Sequence, residues 1–369
     1  MLRARPLMLR ARPLMLRVRS CSASARAPRP LMCASAAHLG VERFLPCLSR
    51  LCGVMICRMK GIIVAAGYGT RFLPITKTIP KEMLPVGLKP SIAYIVDEFV
   101  ASGISEIIII SSRRKKAMED YFDHEIELEE LFRKEGKADK LGKIEPPEAH
   151  FVFVRQTEMR GTGHALLQVK DLVANEPCVV AYPDDLHFGE VPLARQLIEV
   201  YQKTGKCVLA TIYEHGDVSR YGVVDPCDDG LGVKGFVEKP RAGAEPSHEV
   251  SIGRYLYTPE FFTWIEEGWK HHTGGEYYHT YALNKMIELG KFAYHRVEGL
   301  RLDTGEPAGY FEAILENARR DPELRPVLHR FIASHLNGCQ EVPGHTTDGA
   351  AHAKGGVAHA TGGAGPSAC

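Results

Sequence analysis

The chain has 369 residues, 45% of them hydrophobic and 25% charged, the balance of a globular protein with a sizeable core. No stretch is apolar for long enough to span a membrane. The net charge of +1 is unevenly placed: eleven Arg and a single acid, Glu42, put residues 1–58 at +10 and the remainder at −9, and an acidic body argues against general nucleic-acid binding.

Residues 1–58 open on MLRARPL twice and then MLRVRS, rich in Arg, Ser and Ala. The segment reads either as an organellar transit peptide or as translated sequence upstream of a true start at Met59. In both cases it stands outside the fold as a disordered extension. A cytoplasmic location is expected, with organellar import if the segment is a genuine transit peptide. Five of the ten cysteines fall here and none forms a C-x-x-C pair; Cys178, Cys207 and Cys227 sit in or beside predicted strands and read as free buried thiols.

From Met59 the chain alternates strand and helix. The apolar run Ile62–Ile63–Val64 predicts a buried strand that empties into Ala66–Gly67–Tyr68–Gly69–Thr70–Arg71. Two glycines let backbone N–H groups approach an anion, and the cations Arg71 and Lys81 follow. Before any wider motif is considered, this reads either as a site for a polyphosphate or as an ordinary tight turn between strand and helix. It is not a P-loop, because no Gly-Lys-Ser/Thr closes it, and Phe72 spoils a dinucleotide fingerprint.

Helical spacing of Ile92, Ile95, Val96, Phe99 and Val100 predicts a helix ended by Gly103, followed by a buried strand at Ile107–Ile110. Tyr121–Phe132 reads as a polar helix, Phe151–Val154 and Cys178–Tyr182 as strands. Further strands are expected at Cys207–Ile212, Tyr221–Asp225, Gly235–Lys239 and Ile252–Tyr257. Helices are expected from Pro259, over Tyr281–Leu289, up to Arg320, and from Pro322 to about His335. From Gly338 on, Gly, Ala, His and Thr without periodicity predict a disordered tail. The fold class expected is α/β, a doubly wound, mainly parallel sheet with small extra β elements and C-terminal helices over residues 59–335. Gly67, Gln156 and Asp184 fall just past strand carboxyl ends, where such sheets bind ligands.

Several side chains there suit a nucleotide and its partner. Asp184 is a candidate Mg²⁺ ligand, since a triphosphate carries a cation that prefers one or two carboxylates plus phosphate oxygens; Asp185 is either its helper or a solvated turn residue. Gln156 can donate and accept at a base edge. His271, His272 and the tail histidines lack other ligands at metal spacing and read as solvated loop.

The run GYGTRFLPITKTIPKEMLP resembles the signature of the sugar-1-phosphate nucleotidyltransferases, G-x-G-T-R-x-x-P-x-T-x-x-x-P-K-x-x-x-P, at every fixed position. Within that family YFDHEIELEELF, VRQ with GTGHA, RYGVVD, FVEKP and IGRY are most similar to the bacterial branch that joins UTP to glucose 1-phosphate. The resemblance implies UDP-glucose and pyrophosphate as products. It implies Ala66, Gly67, Gly69, Thr70, Gln156 and Gly161 at the nucleotide, and Gly222, Glu238 and Lys239 at the sugar phosphate. Arg71, Lys81, Asp184 and Lys239 would carry the chemistry, with Mg²⁺ on Asp184 and a homo-oligomer as the assembly. Thymidylyl or another nucleotidyl transfer, a silent nucleotide-binding homologue and, more distantly, a glycosyltransferase are the alternatives.

Three departures stand out. Thr162 replaces the family's Leu in G-L-G-H-A, and His248 replaces an Asn. GGEYYHTYAL aligns with G-G-E-I-Q-L-T-D-A-I, which sets Tyr281 against an Asp read as a metal ligand; Asp303 or water would then complete the shell, or activity would be altered.

Overall fold

The computed structural model describes residues 59–336; the readings made for 1–58 and for the tail from Gly338 lie outside the described residues. Thirteen strands are described. The first six are β1 (Lys60–Val64), β2 (Pro85–Val86), β3 (Lys89–Pro90), β4 (Glu106–Ser111), β5 (His150–Arg155) and β6 (Cys178–Ala181). Then come β7 (Asp185–Phe188), β8 (Cys207–Tyr213), β9 (Gly222–Pro226), β10 (Val233–Glu238), β11 (Glu249–Tyr257), β12 (Phe292–Arg296) and β13 (Leu300–Asp303).

Nine of these form one sheet in the order β10-β9-β11-β6-β1-β4-β5, with β8 on the other side of β11 and β12 beyond it. The centre, β6-β1-β4-β5, is wholly parallel, as the βαβ alternation predicts. The extra β elements are joined to it antiparallel through β11. In β1 the neighbours Ile62 and Ile63 point to opposite faces and both are fully buried. Helices cover each face, which is why the central strands read as continuous apolar runs. Ser91–Ala101 and Leu193–Thr204 pack on the Ile63 side, Thr162–Leu167, Pro259–His271 and Thr280–Glu288 on the Ile62 side.

Three local expectations change. The Tyr121–Phe132 helix is two helices, Lys116–Phe122 and Ile126–Lys134, because Asp123 is extended and its carboxylate accepts the His124 N–H. Cys227 is half-buried rather than buried, unlike Cys178 and Cys207. Residues after Asp184 do not stay a turn: β7 pairs antiparallel with β13, setting Asp185 opposite Asp303. Among the described residues no helix is long and apolar enough to cross a membrane.

From β1 the chain winds outward to β4 and β5, then returns to β6 on the other flank of β1. The crevice at the carboxyl ends of β1, β5 and β6 is thus the switch point at which such sheets take ligands.

Candidate active site

Two adjoining cavities open there, of about 400 and 330 Å³. The smaller holds Ala66, Gly67, Lys81, Gln156, Gly161 and Asp184 of the expected site; the larger holds Arg71, Asp184, Gly222, Glu238, Lys239 and Asp303. Asp184, Tyr182, Thr162 and Tyr278 line both and form the wall between them.

The smaller cavity starts from the β1 turn. Gly69 has φ 67°, a left-handed conformation that a side chain resists, and Thr76 Oγ1 donates to its carbonyl at 2.7 Å. Gly69 and Thr70 line neither cavity; they shape the turn that leaves open space above Gly67. Pro80 then leads into the single turn Lys81–Met83, pinned from behind by a buried ion pair in which Lys115 Nζ reaches both Glu82 oxygens at 2.7 Å. Lys81 Nζ donates to Asp184 Oδ2 at 2.7 Å. Burial opposes charge on both, yet their mutual attraction outweighs it: Asp184 titrates below the usual carboxylate range and Lys81 above its ordinary value. Opposite, Gln156 is 4% exposed, and its Nε2 is taken by the Gly161 carbonyl at 3.3 Å and His164 Nδ1 at 3.1 Å. Its Oε1 is the group left for a ligand. At Gly161 a Cβ would stand 2.5 Å from the Tyr277 carbonyl oxygen, so only glycine lets this loop lie against that segment.

In the larger cavity Glu238 ends β10, and burial raises its carboxyl against the lowering effect of Lys239. Lys239 adopts φ 50°, unusual for a side chain, with its N–H donated to the Tyr221 carbonyl at 2.9 Å. Arg71, expected beside Lys81 at a triphosphate, lines this cavity instead: Nη1 donates to the Gly305 carbonyl at 3.3 Å, and Glu306 lies 3.7 Å from Nε. The two cations therefore approach Asp184 from different cavities.

Asp303 and Asp185 meet through Arg301, whose guanidinium pairs with Asp185 and lies 3.3 Å from Asp303 Oδ2. Desolvation opposes the Arg301 charge, but these carboxylates raise its pKa; burial and the neighbouring acids raise Asp185 despite Arg301. Asp185 Oδ2 also accepts the Gly253 N–H at 2.9 Å. Asp185 is thus an anchor of the floor rather than a free turn residue.

A divalent cation can be tested against these groups. A Cβ built on Gly305 would stand 2.9 Å from Asp303 Oδ1 and 3.0 Å from Asp184 Oδ2, so the glycine keeps a small space open to both carboxylates. Among the described residues no group of three His, Cys, Asp or Glu forms a metal cage. Two carboxylates completed by phosphate oxygens and water are the donor set Mg²⁺ suits. The residues fit.

Tyr281 is not part of this shell. Its ring packs on Gly268 of the neighbouring helix and its hydroxyl donates to Glu267 at 3.0 Å. Tyr281→Phe should therefore leave turnover and the metal concentration for half-activation within about twofold, since it removes one peripheral hydrogen bond. A tenfold change in a metal titration would return this position to the site.

Arg301, Tyr182, Tyr278 and His279 were not singled out from the sequence. For Arg301 a signal existed: it lies two residues before Asp303 in a strand, hence on the same face.

A glycine-lined turn and a second polar cavity, meeting at one carboxylate on an α/β switch point, are the arrangement that an enzyme transferring a nucleotidyl group needs. The model of the nucleotidyl transferase family matches residues 60–320. A curated relative from Staphylococcus epidermidis, UTP–glucose-1-phosphate uridylyltransferase, is 42% identical over 282 residues, covering 74% of this chain and 96% of that protein. Among solved structures, a UDP-glucose pyrophosphorylase from Acinetobacter baumannii superposes with TM-score 0.68 at 30% identity, over 75% of this chain and 99% of that one. Another, UDP-glucose pyrophosphorylase complexed with UDP-glucose, gives 0.63 at 36%, over 71% and 99%. The chain belongs to the nucleotidyl transferase family, whose members generally use a divalent metal.

Proposed function

We propose that the protein transfers the uridylyl group of UTP to glucose 1-phosphate, giving UDP-glucose and pyrophosphate. The observation that carries this reading is the shared wall: Asp184 belongs to both cavities, so a triphosphate in one and a sugar phosphate in the other meet beside it. The uridylyltransferase relative and the structure holding UDP-glucose support the choice of substrates.

In the smaller cavity Gln156 Oε1 accepts the uracil N3–H, with Ala66, Gly67 and Gly161 around the base and sugar. Cytosine offers an acceptor at that atom, so CTP meets oxygen against a lone pair. In the larger cavity Glu238 takes glucose hydroxyls, Gly222 admits the ring and Lys239 holds the sugar phosphate. An oxygen of that phosphate attacks the α-phosphorus in line while the bond to pyrophosphate breaks. The nucleophile is already an anion, so neither a covalent intermediate nor a general base is required, and catalysis consists of positioning and charge neutralisation. Lys81 faces the α-phosphate. Arg71 rests in the larger cavity, so to serve the leaving pyrophosphate it must swing toward the smaller one; its resting contacts are a 3.7 Å pair with Glu306 and a backbone carbonyl, which a phosphate can displace. Asp184 and Asp303 would hold Mg²⁺, which when bound supplies charge that cancels repulsion between the two phosphates. Assembly as a homo-oligomer and a cytoplasmic location belong to the same proposal.

The test is a panel of triphosphates and sugar phosphates assayed for pyrophosphate, on protein begun at Met59. UTP with glucose 1-phosphate should exceed CTP by about 10²-fold or more, because a misplaced acceptor leaves buried groups unpaired. Equal use of dTTP would replace the uridylyl reading with a thymidylyl one, and nucleotide binding without any turnover would point to a silent homologue.

A further inference from the structure

The wall between the cavities carries a feature that the family signature lacks. Thr162 and His279 both stand where the family's blocks have leucine: G-L-G-H-A against GTGHA, and E-I-Q-L-T-D against EYYHTY. They are 117 residues apart, yet Thr162 Oγ1 lies 3.3 Å from His279 Nδ1. Tyr182 Oη lies 3.2 Å from the same nitrogen. Two positions that are leucine in those blocks here form one connected polar group with Tyr182.

His279 is 8% exposed, ringed by Tyr182, Tyr255 and Tyr257, with the Tyr255 ring edge-on at 5.1 Å. Burial lowers its pKa to about 4, so the imidazole is neutral at ordinary pH and carries one proton. Nδ1 has a single lone pair; with the Tyr182 hydroxyl donating to it and Thr162 Oγ1 bridging to Tyr182, the proton is assigned to Nε2. Nε2 is not among the buried polar atoms left without a partner, which among the described residues belong to Thr211, Glu249, Tyr257 and Trp264. It is the ring nitrogen left for the larger cavity, which His279 lines together with Gly222, Glu238 and Lys239.

We infer that His279, held by Thr162 and Tyr182, is a specificity-determining residue whose Nε2–H donates to a hydroxyl of the hexose 1-phosphate in the larger cavity. This rests on the uridylyl-transfer reading for the identity of the sugar phosphate, but not for the direction of the donor. Glu238 can only accept while ionised, so His279 supplies the complementary donor across the same ring.

The experiment compares wild type, His279→Leu, His279→Gln and the double variant Thr162→Leu/His279→Leu, which restores the relatives' apolar pair and guards against a folding defect. Initial rates are taken with glucose 1-phosphate and with its 2-, 3-, 4- and 6-deoxy analogues. For His279→Leu and the double variant, KM for glucose 1-phosphate should rise about 10-fold while KM for UTP stays within about twofold, the effect of one hydrogen bond lost to one substrate only. For the wild type one deoxy analogue should be about 10-fold poorer than glucose 1-phosphate, and this penalty should vanish in both leucine variants. His279→Gln, which keeps an N–H donor, should recover most of the loss. Unchanged KM values, a rise for UTP alone, or the same deoxy pattern in wild type and variants would overturn the inference. If the wild type turns over no triphosphate, the functional reading fails separately. Calorimetry with glucose 1-phosphate then decides this one: about 10-fold tighter binding by wild type than by the double variant supports it, and equal binding overturns it.

Discussion

Lys81→Ala should lower kcat by about 10²–10³-fold, the usual consequence of removing one preorganised charge from a phosphoryl-transfer site, while circular dichroism and melting show an intact fold. The fold survives because the turn Lys81–Met83 is held by Glu82 and Lys115 beneath it, not by Lys81 itself. Two effects act in the variant. The α-phosphate loses its cation, and Asp184 loses the partner that offsets its burial. Without that partner burial, which raises a carboxyl, is opposed only by weaker influences, the more distant Arg301 among them, so the acid limb of the pH–rate profile should move to higher pH. The wild-type sign is the reverse: Asp184 lies below its ordinary value, so the stability that the pair contributes is present above the usual carboxylate range. It is lost as pH falls through the depressed folded value. Lys81, raised in the fold, loses its share only as pH climbs past the ordinary lysine range. Lys81→Arg should retain more activity than alanine, because charge survives while geometry does not. Near-normal turnover in Lys81→Ala would remove this residue from the mechanism.

What could be read in the sequence is what local patterning encodes. The unbroken run Ile107–Ile110 fits a strand covered on both faces, and the glycines and proline around Gly67–Pro85 fix a turn within a few residues. Gln156 and Asp184 were legible for the same reason, since Gln156 follows directly on β5 and Asp184 comes three residues after the end of β6. Juxtapositions across the chain were not. β7 and β13 are four residues each and pair over more than a hundred positions, so nothing local announced that Asp185 would face Asp303. The contact of Thr162 with His279 is of that kind too: Thr162 stood as an isolated departure and His279 drew no notice until the fold set them 3.3 Å apart. Tyr281 shows the opposite failure. An aligned letter suggested a missing ligand, whereas the helix turns that side chain toward Glu267. Arg71 was assigned by its place in the signature, but a long side chain goes to the nearest acceptors, here Gly305 and Glu306.

Arg254→Met should cost about 3–5 kcal/mol of stability, because it strands a buried carboxylate. Arg254 is fully buried in β11, and its guanidinium meets Glu98 in a fork at 2.9 Å through Nε and Nη2. Its remaining N–H groups donate to the carbonyls of Gly253 and Asp185 at 3.1 Å, while Glu98 Oε1 also accepts the Ala194 N–H at 3.0 Å. One ion pair thus joins the helix Ser91–Ala101, the start of Leu193–Thr204, β11 and the backbone of the Asp185 segment that floors the site. At ~2–4 °C per kcal/mol for a domain of this size, the melting temperature should fall by roughly 10 °C. The double variant Glu98→Met/Arg254→Met should recover much of that loss, since exchanging both charges for apolar groups leaves no unpaired ion, although the Ala194 N–H and the Asp185 carbonyl then lack partners. Activity should separate the two roles of the pair: if it only stabilises, the double variant regains turnover along with its melting temperature. If it also holds Asp185 in place for Arg301 and Asp303, turnover stays low after stability returns. A single variant melting within about 2 °C of wild type would show that the buried fork contributes little and that the floor of the site is held by β7 and β13 alone.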